Sequence, residues 1–422
     1  MRIRLARCAA IIGTSVALAA LSATGVVQAQ PAPSPADRLP ADLVAAIERD
    51  LHLTPEEYLA RADAAQQVAG YASDMRRVDP GGFGGAWLGD DGTPIVAVGS
   101  PAAAARVAAA GYRAEVVSTP LDGMEGALAQ QKRLSDAPPT TPQFHVASGT
   151  DPIGGDAYIA ATGPLATAQP LLVCSFGFTA ADRAGTPLVL SAGHCDPSRA
   201  TTGTANAASV YAPTPTSIRT SPRVGDFGAS GIGPSGGGLD YSVIRLTPEA
   251  AAAGLGRPEV RGGPTGVLTV TGTAVPVVGA PVCKSGQTSG YTCGKVLDSD
   301  FTTDLFGDGG ESWSVRGFTD SACTLAGDSG GAIVTGTLAL GITSGSNVAD
   351  AADCARAAAA PGGTMSFGIP VRAILSHVNG SSCPAGPGVG LRTASHPAGL
   401  CETPESMVGG TSPLGSLGST GS

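Results

Sequence analysis

The amino-acid sequence predicts an all-β domain that follows a smaller α+β unit. Across residues 151–378 helical patterns almost vanish, and short apolar runs alternate with Gly, Pro, Asp and Thr, which is typical of a β-barrel or sandwich. Residues 40–117 are instead rich in alanine and carry helical patterns around one hairpin signal. Glycine, at 61 of 422 residues, is about twice as frequent as usual, and charged residues make up only 14%. Together these features indicate a turn-rich exported protein of two or three domains.

Residues 1–29 are predicted to form a secretory signal peptide. Arg2, Arg4 and Arg7 precede an apolar run that ends at Val27, and Val27-Gln-Ala29 is a small-residue cleavage site. A membrane anchor is the alternative, but the cleavage pattern disfavours it. Later segments lack the roughly 18 uninterrupted apolar residues of a membrane span. We therefore expect an extracellular protein with no membrane contact once the signal is removed.

The α+β unit, assigned to residues 30–145, is predicted from local signals in chain order. Thr54-Pro-Glu-Glu57 is a capping box with proline at the first helical position. Gly89-Asp-Asp-Gly92 is a turn signal between two apolar stretches. The predicted elements are a helical face over 43–51, a helix from 55 toward 77, a hairpin of 86–88 with 94–98, a helix over 102–110 ending at Gly111, and a strand over 112–117. The polar stretch 135–142 is predicted to be a linker.

The β domain, assigned to residues 146–379, is predicted from apolar runs separated by turn residues. These runs lie at 171–178, 188–190, 241–246, 267–270, 313–315 and 333–342. One helical pattern at 371–378 closes the domain. Residues 380–422 are rich in Gly, Pro and Ser, and are predicted to be a tail with one disulfide loop and a flexible end.

Charge and cysteine content restrict the partners. The chain has 25 basic and 34 acidic residues without a stripe of Lys or Arg, so we expect no nucleic acid partner.

Removal of the signal leaves eight cysteines, which in an exported chain predict four disulfides in any of about 105 pairings. Metal binding is the alternative, but no C-x-x-C or His-rich spacing accompanies them, and we expect neither metal nor cofactor. The cysteines are Cys174, Cys195, Cys283, Cys293, Cys323, Cys354, Cys383 and Cys401.

The motif Gly327-Asp-Ser-Gly-Gly331 makes its serine, Ser329, a candidate nucleophile, and two hydrolase folds use such a serine. In α/β-hydrolases G-x-S-x-G follows a strand, precedes a helix, and is followed along the chain by an acid and a histidine. Here the preceding residues are polar and irregular, the following ones are β-like, and Asp353 and His377 lie in no supporting context. The sequence therefore disfavours the α/β-hydrolase fold.

The other order, His, Asp, Ser, requires a histidine and a carboxylate upstream of the serine. Of five histidines only His194 lies at a predicted strand end, beside a cysteine whose disulfide would hold the loop rigid. Asp240 opens an alternating run that predicts a half-buried strand. Taken singly, His194 would be structural and Asp240 a strand-start cap. A Gly-Asp-Ser-Gly-Gly pentamer arises by chance only about once in several hundred such chains, so the three together predict a catalytic triad.

Six short motifs carry a resemblance to a known family. They are Cys174-Ser-Phe-Gly-Phe178, Ser191-Ala-Gly-His-Cys195, Asp240-Tyr-Ser-Val-Ile244, Val282-Cys-Lys-Ser-Gly286, Thr288-Ser-Gly-Tyr-Thr-Cys-Gly294 and Cys323-Thr-Leu-Ala-Gly-Asp-Ser-Gly-Gly-Ala-Ile-Val-Thr-Gly336. These motifs resemble the chymotrypsin-fold serine peptidases, in particular the bacterial branch of alpha-lytic protease and the streptogrisins. The resemblance covers about residues 151–378 and implies two six-stranded β-barrels with the site in the cleft between them. The α+β unit is similar to the pro-region of the same branch.

The resemblance implies a secreted serine endopeptidase, expected to be a monomer, that cuts proteins or peptides through an acyl-enzyme. Ser329 would attack the scissile carbonyl because His194 removes its proton. His194 would then protonate the leaving amine, and Asp240 would fix the histidine tautomer and stabilise the imidazolium. The backbone N–H groups of Gly327 and Ser329 would form the oxyanion hole.

The resemblance also implies structural pairs. In this branch an internal basic residue binds the acid before the nucleophile, which makes Lys284 the expected partner of Asp328. Lysine is a weaker bidentate partner than the arginine common at this position. The implied disulfides are Cys174 with Cys195, Cys283 with Cys293, and Cys323 with Cys354, which leaves Cys383 with Cys401 by default.

The primary specificity pocket implied by the resemblance is lined by Thr324, Thr343, Ser344, Gly345 and Thr364. Thr343 stands where glutamate-selective relatives carry histidine, and no aspartate stands at the pocket base as in arginine-selective ones. We therefore expect an uncharged residue before the cut bond, large and apolar such as Phe, Tyr or Leu. The stretch 347–363 is longer than the family pattern.

The position of the α+β unit between signal and peptidase favours an inhibitory pro-region over a plain accessory domain. Because a large non-local β topology folds slowly, we expect this unit to assist folding as well. Processing is expected between residues 139 and 151. A second hypothesis is a catalytically silent, secreted binding or wall-associated protein on the same fold. Such a scaffold would have no physical need to keep the three reactive residues and the oxyanion glycine together.

Overall fold

The computed structural model describes residues 34–117, 134–135, 151–168, 171–214, 218–264, 266–306, 310–348, 350–380 and 386–401. The predicted signal peptide, nearly all of the predicted linker, Cys383 and the end of the tail lie outside these ranges. Within them, no helix has both the length and the apolar character that crossing a membrane requires.

The N-terminal unit, residues 34–117, has the α+β organisation that its local signals predict. Its elements are a 3-10 turn (Ala36–Arg38), α1 (Ala41–Ala46), a π-helical turn (Ile47–Leu51), α2 (Pro55–Val78), β1 (Phe83–Leu88), β2 (Pro94–Val98), α3 (Pro101–Ala109) and β3 (Arg113–Val116). The predicted capping box forms at α2, because the Thr54 hydroxyl accepts from the Glu57 amide and the Glu57 carboxylate accepts from the Thr54 amide. The strands pair in the order β1-β2-β3, antiparallel at the hairpin and parallel across α3.

The remaining described residues are mostly strands. These are β4 (Leu134–Ser135), β5 (Ala157–Ala161), β6 (Leu172–Ser175), β7 (Thr179–Ala181), β8 (Pro187–Ser191), β9 (Ser209–Tyr211), β10 (Arg223–Gly233), β11 (Leu239–Leu246), β12 (Glu259–Val260), β13 (Leu268–Thr269), β14 (Gly272–Thr273), β15 (Pro281–Gly286), β16 (Gly290–Phe306), β17 (Ser312–Asp320), β18 (Ala332–Thr335), β19 (Leu338–Ser346), β20 (Ser366–Pro370) and β21 (Gly390–Leu391). The helices are α4 (Pro248–Ala250), α5 (Cys354–Ala359) and α6 (Val371–Asn379), with 3-10 turns at Arg199–Thr201, Ile218–Thr220 and Pro234–Gly236 and a π-helical turn at Ala251–Leu255.

Two large sheets confirm the all-β prediction. The first sheet has the antiparallel order β21-β7-β8-β11-β10-β9-β5-β6. The second has the order β14-β19-β18-β15-β16-β17-β20, with β4 beside β16 and β19. Because β19 also pairs with β20, strands β15 to β20 close into the six-stranded ring that the resemblance implies. The first sheet has eight strands instead of six in its pairing order, partly because β21 extends its edge at β7.

The N-terminal unit packs against the second sheet. Leu43, Ile47 and Tyr58 are fully buried in a hydrophobic cluster that continues into that sheet. The backbone amide of Cys293, on β16, donates to the carboxylate of Asp50 at 2.8 Å. The apolar helical face expected over residues 43–51 is therefore buried by the β domain.

Residues 386–401 of the predicted tail fold back onto the first sheet. β21 pairs with β7, and Leu391 is buried. At the end of α6 the Asn379 side chain forms two hydrogen bonds of 2.8 Å with the backbone of Val389. Cys401 is disulfide-bonded. Because Cys383 lies outside the described residues, the pairing of these two cysteines stays a prediction.

Candidate active site

His194 and Asp240 lie side by side on the first sheet. His194 follows β8 and Asp240 lies near the start of β11, and these strands pair antiparallel with Ser191 opposite Ser242. The Nδ1 atom of His194 lies 2.7 Å from Oδ2 of Asp240. The other carboxylate oxygen, Oδ1, accepts from the amides of Gly193 and His194 at 2.8 and 2.9 Å. One carboxylate thus holds both the ring and the backbone of the histidine loop.

Asp240 is fully buried and ionised at neutral pH. Burial alone would raise its pKa, but the charge of His194 and hydrogen bonds from His194 and Ser344 outweigh burial and lower the pKa below its ordinary value of 3.8. The Ser344 hydroxyl donates to Oδ2 at 2.6 Å. An ionised carboxylate can only accept, so it keeps the proton of His194 on Nδ1 and leaves Nε2 as the unprotonated nitrogen.

Disulfides brace the loops around this pair. The two sulfur atoms of the Cys174–Cys195 disulfide and a ring nitrogen of His194 all lie within 4.8 Å of one another. Those sulfurs are bonded to each other, so they offer no thiolate ligand to a metal ion. Three disulfides that form among the described residues are those that the resemblance implies: Cys174–Cys195, Cys283–Cys293 and Cys323–Cys354.

Ser329 lies in the loop between β17 and β18 of the second sheet. Within this loop the Gly330 amide donates to the carbonyl of Thr343 at 2.8 Å. The next residue, Ser344, carries the hydroxyl that binds the buried carboxylate described above. The loop is also tied to the first sheet, because the Ser175 amide donates to the carbonyl of Ser329 at 2.7 Å. These contacts place Ser329 at the junction of the two sheets, where the His194 loop also lies.

Two glycines give the Ser329 loop its shape. Gly327 and Gly330 have φ of +94° and +81°, which side chains rarely tolerate. A Cβ at Gly330 would also collide with Ser191 Oγ, and one at Gly327 with the side-chain amide of Gln287. Within the described residues, neither the Gly327 amide nor the Ser329 amide donates a hydrogen bond. Both N–H groups are therefore available to a developing oxyanion.

The Lys284–Asp328 ion pair suggested by the resemblance is confirmed. Nζ and Oδ2 are 2.7 Å apart, and the side chains are 1% and 0% exposed. Asp328 also accepts from the Ser289 hydroxyl at 2.7 Å and from the amides of Thr288, Ser289 and Leu325. Burial would raise the pKa of Asp328, but the charge of Lys284 and these bonds lower it. A single ammonium suffices because the other donors satisfy the remaining lone pairs.

A second buried acid, Asp320, ends β17 and was not singled out in the sequence. Its Oδ1 accepts from the Ala322 amide at 2.9 Å, whereas Oδ2 has no partner among the described residues. Burial raises the pKa of Asp320 to about 7, against the opposing effects of the Ala322 bond and the Lys284 charge. The sequence gives no signal for it, because the predicted apolar run at 313–315 ends before Asp320, whereas the strand itself extends to that residue. Lys284 forms its ion pair with Asp328, and its charge is the smallest of the three effects on the pKa of Asp320.

The expected pocket residues lie in three places. The Thr324 hydroxyl lies 2.7 Å from that of Ser366, the first residue of β20. Thr364 precedes β20, and its hydroxyl donates to the Ser321 carbonyl at 2.7 Å. Ser344 differs, since its hydroxyl binds Asp240 and so belongs to the His194–Asp240 pair. Two expected pocket residues lie on β19 opposite β20, namely Thr343 across from Gly368 and Gly345 across from Phe367.

The two residues that the α/β-hydrolase alternative would use as catalytic partners make structural contacts instead. Asp353 caps α5 by accepting from the Arg356 amide at 2.8 Å. The ring of His377 packs edge-on against Tyr241 with centroids 5.3 Å apart. A strand, β18, and not a helix follows Ser329. The arrangement is therefore that of the two-sheet fold.

Comparisons with known proteins give the family. No family model matches the chain. Streptogrisin-C of Streptomyces griseus is 29% identical over an alignment of 388 positions, which covers 82% of this chain and 79% of that protein. Serine protease 2 of Streptomyces fradiae is 32% identical over 192 residues, which are 46% of this chain and 92% of that protein. The crystal structure of a Nocardiopsis protease is 28% identical, covers 58% of this chain and 100% of its own, and has a TM-score of 0.40. The chain accordingly belongs to the chymotrypsin-fold bacterial serine peptidases of the streptogrisin type, and it is a serine endopeptidase.

Proposed function

We propose that this endopeptidase is secreted as a pro-enzyme and hydrolyses peptide bonds with a triad of His194, Asp240 and Ser329. The observation that carries the proposal is the 2.7 Å hydrogen bond between His194 Nδ1 and the buried Asp240. It supports a histidine whose Nε2 is free of the tautomeric proton and can act as general base. The predicted signal peptide and the disulfides support export to an oxidising compartment.

In the proposed reaction, Ser329 Oγ attacks the scissile carbonyl carbon while its proton moves to His194 Nε2. The amides of Gly327 and Ser329 stabilise the negative charge that develops on the carbonyl oxygen. Collapse of this intermediate breaks the C–N bond, and Nε2 gives its proton to the leaving amine, which leaves an acyl ester on Ser329. Water then attacks the ester, with His194 again taking and returning the proton. Asp240 stays ionised throughout.

Labelling with a fluorophosphonate tests this triad. We expect the probe to label Ser329 of the processed protein, as located by peptide mass spectrometry. In the His194→Ala variant the probe should label Ser329 at least roughly 10³-fold more slowly, because the serine hydroxyl loses its base. His377→Ala removes a histidine packed on Tyr241 and should label at the wild-type rate. Absence of labelling in the wild-type protein would favour the catalytically silent binding protein.

We further propose that the bond cut follows an uncharged residue, large and apolar. In support, the pocket residues Thr324, Thr343, Gly345 and Thr364 carry no charge, and the Thr324 hydroxyl is already engaged with Ser366. The same processed sample, incubated with a peptide library, measures the preference directly. Cleavage mainly after Lys, Arg or Glu would contradict it.

The N-terminal unit is proposed to be an inhibitory pro-region that assists folding. Two observations support this: the Streptogrisin-C alignment extends over 82% of the chain, beyond the predicted peptidase domain, and apolar side chains of α1 and α2 are buried against the second sheet. The chain that follows the unit also reaches the pocket edge, since Ser135 of β4 pairs with Ser346 of β19. Refolding of the peptidase domain with and without the unit measures the effect, and equal yields would contradict the folding role.

A further inference from the structure

Ser175 ends β6 of the first sheet and is fully buried. Its amide donates to the carbonyl of Ser329 at 2.7 Å. Its hydroxyl donates to the carbonyl of Gly327 at 2.9 Å and accepts from the amide of Gln287 at 2.9 Å. One residue of the first sheet therefore holds two carbonyl groups of the Ser329 loop, which belongs to the second sheet.

These two carbonyls lie on either side of a proposed oxyanion donor. The Gly327 carbonyl belongs to the peptide group that leads to Asp328, and the Ser329 carbonyl to the group that leads to Gly330. The peptide group between Asp328 and Ser329, which carries the Ser329 N–H, lies between them. Restraining both neighbours limits the rotation of that N–H. Gly327 has φ +94°, and a glycine, which lacks a Cβ, can leave this conformation for many others. It therefore needs such a restraint.

Further hydroxyl groups hold Ser175 itself. The Ser191 hydroxyl donates to the Ser175 carbonyl at 3.1 Å, and the Tyr158 hydroxyl lies 2.9 Å from Ser191 Oγ. All three side chains are fully buried. Burial raises the pKa of Tyr158, so its hydroxyl stays protonated. The hydroxyl groups of Tyr158 and Ser191 thus hold the backbone of Ser175, whose own hydroxyl binds the Ser329 loop.

We propose that Ser175 is a positioning residue for peptide hydrolysis, whose hydroxyl aims the oxyanion amides by holding the Gly327 carbonyl. The inference rests on the proposed function, because it requires the Gly327 and Ser329 amides to be the oxyanion donors. A donor that points away from the developing charge stabilises the transition state less. Since the neutral carbonyl of the bound substrate depends less on these amides, loss of aim lowers kcat and changes KM little.

The test is Ser175→Ala in the full chain, assayed after secretion and processing. Loss of one oxyanion donor lowers kcat by about 10²- to 10³-fold, so a misaimed pair should lower it roughly 10- to 100-fold. KM should stay within about twofold. Affinity for a peptide aldehyde, whose adduct with serine carries the oxyanion, should fall by the same factor as kcat, while affinity for a product peptide should not change.

Thr335→Val is the matched control for loss of a buried hydroxyl. Thr335 is 1% exposed, lies on β18, and donates to the Pro281 carbonyl at 2.8 Å. We expect it to leave kcat at the wild-type value and to lower the thermal midpoint less than Ser175→Ala does, because it leaves one buried partner unsatisfied instead of two. An equal kcat loss in both variants, or weaker binding of the product peptide to Ser175→Ala, would show a merely structural role and overturn the inference.

Wild-type kcat and aldehyde affinity in Ser175→Ala would also overturn it. If the alanine variant does not accumulate, Ser175→Cys retains the side-chain size with a weaker donor. A kcat reduced in Ser175→Cys with KM unchanged supports the inference, and a wild-type kcat overturns it. Ser329→Ala distinguishes a failure of the proposed function from a failure of this inference. Full activity in Ser329→Ala would overturn both. Activity that is lost in Ser329→Ala but retained in Ser175→Ala would overturn this inference alone.

Discussion

Asp240→Asn is expected to lower kcat by about 10⁴-fold at neutral pH. The amides of Gly193 and His194 both donate to Oδ1, so the oxygen of an asparagine must occupy that place. Its NH₂ group then takes the place of Oδ2, which lies 2.7 Å from His194 Nδ1. An NH₂ group donates, so Nδ1 becomes the acceptor and the ring proton moves to Nε2. That tautomer cannot accept the proton of Ser329.

Steady-state hydrolysis of a peptide substrate measures this effect. Asp353→Asn is the matched control, because Asp353 also accepts a backbone amide, that of Arg356 at 2.8 Å, but caps α5 away from the histidine loop. Its kcat should equal that of the wild type. If Asp240→Asn kept more than about a tenth of the wild-type kcat, Asp240 would not set the tautomer of His194.

Lys284→Ala is expected to lower the free energy of unfolding by roughly 3–5 kcal/mol, the usual effect of removing one partner of a buried ion pair. Asp328 would keep its bonds to Ser289 and to three backbone amides, but its charge would remain buried without a cation. Because Asp328 directly precedes Ser329, we also expect activity to fall. Urea unfolding of the full chain measures the loss.

The control for this prediction is an exposed ion pair. Arg356 and Asp353 are 3.6 Å apart with side chains 74% and 52% exposed, so Arg356→Ala should change the free energy of unfolding by at most about 1 kcal/mol. A Lys284→Ala protein with the wild-type urea midpoint and activity would show that the buried pair does not stabilise the Ser329 loop.

The buried carboxyl group of Asp320 is expected to make the stability of the protein depend on pH. Its pKa is raised from 3.8 to about 7 mainly by burial, so between these values the folded protein retains a proton that the unfolded chain has released. The contribution of Asp320 to the free energy of unfolding therefore falls by about 1.4 kcal/mol per unit as pH rises through this window, and is flat above it. Asp320→Asn should lack this slope in urea unfolding measured from pH 4 to 8, and parallel curves for the two proteins would contradict the assignment. Asp328 acts in the opposite sense, because its pKa is lowered and its contribution is lost in acid.

Elements with strong local signals were predicted well. The capping box at Thr54 placed the start of α2, and the run after Asp240 placed β11. The prediction that β11 is only half-buried was wrong, because every residue of this strand except Arg245 is buried. The 17-residue β16 was missed, because its middle, Asp298-Ser-Asp300, is polar and its extended form comes from pairing with β15 and β17. The single apolar run at 333–342 became two strands, since Gly336 turns the chain at φ +59°. Such pairings depend on partners elsewhere in the chain.

The sequence by itself determined the candidate chemistry of this protein: the nucleophile motif at Ser329, a histidine and an aspartate in the right order, and the cysteines beside them. Those signals are local, so a short stretch of chain carries each one. Only the tertiary structure decided what surrounds them. Ser175 lies 152 positions from Gly327, whose carbonyl it holds, and Ser344 lies 104 positions from Asp240. Contacts between residues so far apart in the sequence arise when two sheets pack together, and no local pattern of residues encodes them.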